Sequence, residues 1–164
     1  MRHVISILLE NESGALSRVA GLFSARAYNI ESLSVAPTVD PTVSRMTLVT
    51  RGDAHIIEQI IKQLNKLVSV VKLQEMTPVD HIEREMVLLK VRVNEKTRDH
   101  VRMMTDIFKA SILNVSPNHF VVELTGERRK SQEFIDALAP ALVVEIVRSG
   151  SQGMSLSDKP LRSG

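Results

Sequence analysis

The chain has no cysteine and no tryptophan among its 164 residues, and aromatic residues make up only 3% of it. Without thiols there is no disulfide framework and no thiolate chemistry, and a reducing compartment, the cytoplasm, is the expected setting. So few rings argue against the base-stacking surface of small RNA-binding sheet domains, and the candidate central strand Arg45-Met46-Thr47-Leu48-Val49 carries none. Neither sign of charge dominates, since 21 Lys and Arg face 19 Asp and Glu. The one basic run, Arg128-Arg129-Lys130, reads as a solvated turn, so no nucleic acid is expected as a partner. No apolar run approaches the ~18 residues of a membrane span, the opening Met1-Arg2-His3-Val4-Ile5 enters a strand without a leader pattern, and no membrane partner is expected.

Catalytic signatures are equally sparse. His3, His55, His81, His100 and His119 are scattered, without the short spacing of a metal pair. There is no nucleophile elbow and no phosphate-binding loop, and no two carboxylates can be assigned as general acid and base. The expectation is a chain that is not itself an enzyme and holds no cofactor or metal.

What is present is one pattern written twice. His3, Ile5, Ile7 and Leu9 alternate with Val4, Ser6, Leu8 and Glu10 as in a strand. Leu16, Val19, Ala20 and Phe23 then recur at helical spacing, with Ser13 placed as an N-cap. Residues 30–36 and 43–51 read as strands, Asp53 caps a second helix bearing Ile57, Ile60, Ile61 and Leu64, and 70–76 closes the set. After about 80 residues the order returns: strand 85–93, a helix after Thr97, strands 112–116 and 119–125, helix 130–139 ending at Pro140, strand 142–147. This predicts an α+β protein of two tandem ferredoxin-like βαββαβ domains, each an antiparallel sheet with helices on one face. The expected limits are 1–77 and 82–150, with 151–164 a polar tail expected to be mobile. A sheet face or edge left bare invites pairing with a second copy, so a homodimer is predicted.

The informative spot is the first strand-to-helix connection, Glu10-Asn11-Glu12-Ser13-Gly14-Ala15-Leu16. Gly14 lets a ligand approach the backbone, and the N–H groups of Gly14, Ala15 and Leu16 open a helix N-terminus to a carboxylate. Asn11 offers both a donor and an acceptor, and Leu9, Ile30 and Leu33 are candidates for an apolar wall. A small aliphatic amino acid would use all of these groups. The same spacing is also that of a plain structural turn, and Asn29 after a helix is commonly a left-handed terminal residue without a ligand.

The text Leu8-Leu9-Glu10-Asn11-Glu12-Ser13-Gly14-Ala15-Leu16-Ser17-Arg18-Val19, then Tyr28-Asn29-Ile30-Glu31-Ser32-Leu33-Ser34-Val35-Ala36-Pro37, closely resembles the small regulatory subunits of acetolactate synthase. Ser44-Arg45-Met46-Thr47, Glu83-Arg84-Glu85-Met86 and Arg148-Ser149-Gly150 extend the likeness over nearly the whole chain. The resemblance implies an N-terminal ACT domain and a ferredoxin-like C-terminal domain. It also implies a catalytic large subunit as partner, one that uses thiamine diphosphate, Mg²⁺ and FAD. The small subunit would raise that partner's activity and confer feedback inhibition by valine in branched-chain amino-acid biosynthesis. The effector would lie between two ACT domains, with Asn11, Gly14 and Ala15 from one chain and Asn29 and Ile30 from the other. Ser13 and Leu16 complete the candidate effector residues. An amino-acid-sensing partner of a different enzyme or regulator is the alternative. One departure stands out: the family commonly has glycine before Tyr-Asn-Ile, and here that position is Ala27. Either Ala27 takes positive φ at a cost of about 1 kcal/mol, or Asn29 assumes the left-handed role.

Overall fold

The computed structural model describes residues 1–162. It forms two compact units, one of Met1–Ile82 joined by the segment from Ser151 on, the other of Glu83–Gly150.

In the first unit the elements run β1 (Arg2–Glu10), α1 (Ala15–Ala25), β2 (Ile30–Pro37), β3 (Val43–Arg51), α2 (Ala54–Asn65) and β4 (Val70–Glu75). The antiparallel sheet has the order β2-β3-β1-β4. Ile5, Ile7 and Leu9 on one side of β1 meet Val19 and Phe23 of α1 and Ile57, Ile60 and Leu64 of α2, all fully or nearly buried. Burying each such side chain favours folding by roughly 1.5–3 kcal/mol, so the helices are held to one face by their apolar stripes. Asp53 caps α2 as expected, its carboxylate accepting the N–H of Ile56 at 2.9 Å.

Ser13 does not cap α1. Gly14 is the N-cap at φ 88°, ψ −11°, the geometry of the third residue of a type II turn. Ala15 N–H closes that turn on Glu12 O at 3.3 Å, which leaves the Ser13 side chain in the exposed bend. At the far end of α1, Ala27 and not Asn29 takes the left-handed conformation, at φ 56°. Tyr28 N–H then reaches back to Phe23 O at 2.9 Å, the closure of a Schellman-type end. Left-handed alanine costs about 1–2 kcal/mol, and glycine recovers this less about 0.4–1 kcal/mol of unfolded-state entropy. Ala27→Gly is therefore expected to stabilise the protein by about 0.5–1 kcal/mol, read as a raised urea midpoint at unchanged slope.

The second unit comprises most of β5 (His81–Arg92), α3 (Arg98–Ile107), β6 (Ser111–Val115), β7 (His119–Gly126), α4 (Arg128–Leu138) and β8 (Val143–Arg148), in the sheet order β6-β7-β5-β8. Val87, Leu89 and Val91 face Val101, Phe134 and Leu138 in a core of its own. Thr97 opens α3 without a side-chain cap bond. The loop is closed instead by Asn94 Oδ1, which accepts the N–H groups of Lys96 and Thr97 at 2.8 and 3.0 Å.

The described part of the tail, 151–162, departs from expectation, and Ser163 and Gly164 lie outside the described residues. Gln152–Ser155 is a ninth strand, β9, paired with β5, and β5 accordingly begins at His81, four residues before the predicted start. The reason lies in β1, where Val4, Ser6 and Leu8 on the side without helices are as buried as the core side. Residues 151–156 cover that side, Gly153 lying against Val4 and Thr47. Arg2 donates to Ser151 Oγ at 3.2 Å, Gly153 N–H to Thr47 Oγ1 at 3.2 Å, and Leu156 N–H to Asp80 O at 2.9 Å. A polar sequence thus becomes an ordered strap because a bare, partly apolar sheet face supplies its partners.

Candidate functional site

The turn that leads into α1 is held from three sides. Asn11 N–H donates to Thr42 O at 2.7 Å and its Nδ2 to Pro41 O at 2.8 Å, which ties the turn to the β2–β3 hairpin. Asn11 Oδ1 has no donor among the described residues and stays available to an ammonium group. Arg18, one turn into α1, folds back toward the helix N-terminus, as helical side chains do. Its Nε and Nη2 donate to Ser69 Oγ at 2.9 and 2.6 Å, and Nη2 also to Glu12 Oε1 at 2.8 Å.

The remaining nitrogen, Arg18 Nη1, lies 3.0 Å from where a Cβ on Gly14 would sit. Gly14 is therefore favoured for its positive φ, and a Cβ there would push the end of the Arg18 side chain aside by a few tenths of an ångström. Among the described residues nothing accepts from Nη1, nor from the backbone N–H groups of Ser13, Gly14, Leu16 and Ser17. Ala15, expected to be free, is spent on the turn. Helix-end amides and a guanidinium with an open N–H together make a seat for a carboxylate, where each charge-assisted bond contributes about 1.5–3 kcal/mol.

Beside this seat lies an open depression of about 430 Å³ lined by Glu10, Asn11, Glu12, Asp40, Thr42, Val43 and Val71. The Thr42 hydroxyl at 2.7 Å and its N–H at 2.9 Å hold the Asp40 carboxyl below the usual carboxylate range. Asp40 is thus ionised at neutral pH and, with Glu10, makes this side attractive to a cation.

Asn29 and Ile30 are elsewhere. Ile30 pairs with Thr50 at the opposite end of the sheet from Glu10 and Val43. The Asn29 carbonyl accepts the Thr50 hydroxyl at 2.6 Å, and the Asn29 side chain is exposed. The 11 residues of α1 separate the two groups by about 16 Å. Nor do the three candidate wall residues surround the glycine turn: Leu9 is buried in the core, and Ile30 and Leu33 pack against that core. One chain thus unites Asn11, Ser13, Gly14, Ala15 and Leu16 and leaves Asn29 and Ile30 at the other end of the helix. Sequence reading missed Arg18, Ser69 and Asp40. A helical Arg four residues after a turn glycine was the available signal for the first.

No helix of the described residues is long and apolar enough to cross a membrane, and among them no group of three or more His, Asp or Glu is placed to hold a metal ion.

Residues 5–72 match the family described as AHAS small subunit-like ACT domain, and residues 84–157 the family described as small subunit of acetolactate synthase. The acetolactate synthase small subunit of Haemophilus influenzae is 52% identical, over 97% of this chain and 98% of its own. The isozyme 3 small subunit of Escherichia coli is 50% identical, over 99% and 100%. The crystal structure of the acetolactate synthase small subunit from Thermotoga maritima superposes with a TM-score of 0.88 at 37% identity, covering 97% of this chain and 99% of that one. The two-unit α+β fold, the open glycine turn at the head of an ACT helix and these full-length matches lead to one assignment: the chain belongs to the family of acetolactate synthase small subunits.

Proposed function

We propose that this chain is the non-catalytic regulatory subunit of an acetolactate synthase in the cytoplasm. It activates a large catalytic subunit, in which the thiamine diphosphate, Mg²⁺ and FAD reside, and it makes that subunit sensitive to valine. The observation that carries the reading is the separation of two half-sites by the length of α1. A carboxylate seat at Gly14 and the Asn29-Ile30 segment can meet around one ligand only if two chains lie antiparallel, each giving one half. β2, an edge strand, is available for that pairing.

In such a homodimer the carboxylate of valine meets the amides of Gly14 and Leu16 and Nη1 of Arg18. Its ammonium turns to Asn11 Oδ1 and the acidic depression, and its isopropyl group meets Ile30 of the second copy. Ser13 and Ala15 shape the turn, and Asn29 closes the site from the other chain. Feedback needs valine to bind one state of the complex better than another, typically by about 1–3 kcal/mol.

Calorimetric titration of the purified chain with valine, alone and with the large subunit, tests this reading. Saturable binding with one site per chain, together with acetolactate output that rises on mixing and falls with valine, is the expected result. A strictly monomeric chain that takes up no valine in either setting would defeat it.

A further inference from the structure

The strap lies over a charged cleft. Arg45, on β3, points to the helix-free face, where its Nε donates to Ser6 Oγ at 3.0 Å and its Nη2 to Gly153 O at 3.1 Å. Both acceptors are neutral. Among the described residues no carboxylate lies within ion-pair distance of Arg45, and nothing accepts from its Nη1. Burial pulls the affinity of this guanidinium for its proton below the ordinary arginine value, which marks a cation partly removed from water without a counter-charge.

Next to it is a cavity of about 270 Å³ between sheet and strap, lined among others by Gln74, Ser155, Ser157, Asp158 and Lys159. Neither Asp158 nor Lys159 makes an ion pair among the described residues. Arg45 and Lys159 against Asp158 leave the lining with a formal +1. An anion would find there a guanidinium fork, an ammonium, two hydroxyls and an amide.

We propose that this cleft binds a small oxyanion that bridges Arg45 on the sheet to Lys159 on the strap and so fastens the strap. The ligand is phosphate itself or a phosphorylated metabolite small enough for the cavity. Binding here is separate from the glycine turn, because none of the residues involved belongs to that seat.

The test is hydrogen exchange of the strap amides, 152–159 and 161, in the full-length chain without valine. Inorganic phosphate and glycerol 3-phosphate are titrated in parallel, with chloride at matched ionic strength as control. Either phosphate is expected to slow strap exchange saturably by tenfold or more. An effect of inorganic phosphate alone identifies the free ion as ligand, and an equal or larger effect of the ester identifies a phosphorylated metabolite. Lys159→Ala, at an exposed strap position, is expected to weaken the midpoint roughly fivefold without altering exchange in the ion-free protein. Arg45→Gln is expected to abolish the effect. An equal response to chloride, no response to either phosphate, an unchanged midpoint in Lys159→Ala, or slowing that persists in Arg45→Gln would each overturn the proposal.

Discussion

Gly14→Asp is expected to remove the response to valine while the protein stays folded. A Cβ at residue 14 stands 3.0 Å from Arg18 Nη1, so the new carboxylate reaches the guanidinium and occupies the seat proposed for the carboxylate of valine. The replacement acts as a tethered copy of the ligand's own charged end. Holding a side chain at φ 88° costs about 1–2 kcal/mol, and a negative charge at the helix N-terminus returns about 0.3–1 kcal/mol, so the fold loses little. Losing two charge-assisted hydrogen bonds at about 1.5 kcal/mol each corresponds to a valine affinity lowered by at least about 100-fold. Gly14→Ala separates the causes. It carries the same backbone cost without a carboxylate, and a loss of only about tenfold is expected. Calorimetry with a parallel urea melt reads both quantities. A folded Gly14→Asp protein that binds valine as before would show that the carboxylate lies elsewhere.

The second large effect concerns the other unit. Phe134 is fully buried and its ring lies 5.3 Å from that of Phe108, at the centre of a core that shares no residue with the first. Phe134→Ala is expected to cost about 3–5 kcal/mol. A unit of some 70 residues has a total stability of roughly 4–10 kcal/mol, so the mutant stands at or near unfolding between Glu83 and Gly150. Native-state hydrogen exchange should show β7 and the β5 residues beyond Glu85 losing protection while α1 and α2 keep theirs. Equal loss in α1 and α2 would show that the two cores melt as one.

Much of this architecture can be read from side-chain spacing. The apolar side chains at every second position, Ile5, Ile7 and Leu9 in β1 and Met46 and Leu48 in β3, and the three-and-four spacing of Val19, Phe23, Ile57, Ile60 and Leu64 arise from packing of sheet against helices, a local signal. The Asn11–Gly14 turn is legible for the same reason, since the need for glycine there is written in neighbouring residues. Three features are not local. Gln152-Gly153-Met154-Ser155 has no apolar alternation, and it is a strand only because the face of β1 and Thr47, more than a hundred residues earlier, lacks a cover. Arg18 is aimed at Gly14 by Ser69, 51 residues downstream. Ala27 is forced into the left-handed region by the closure of Tyr28 on Phe23, against its own preference. Wherever the deciding partner is distant in the chain, the spacing of the residue types is silent.

The strap also bears on how the protein is made. The stretch Glu83–Gly150 interrupts a unit whose second piece, from Ser151 on, is synthesised only after it. When Met76 leaves the ribosome, some 80 residues must still be added before Leu156 can bond to Asp80. At about 5–20 residues per second that is roughly 4–16 s. Through that interval Val4, Leu8 and Val49 on the nascent sheet are without their cover. Messages cut short before codon 151 would yield chains that expose this face permanently, and such products are natural clients for chaperones.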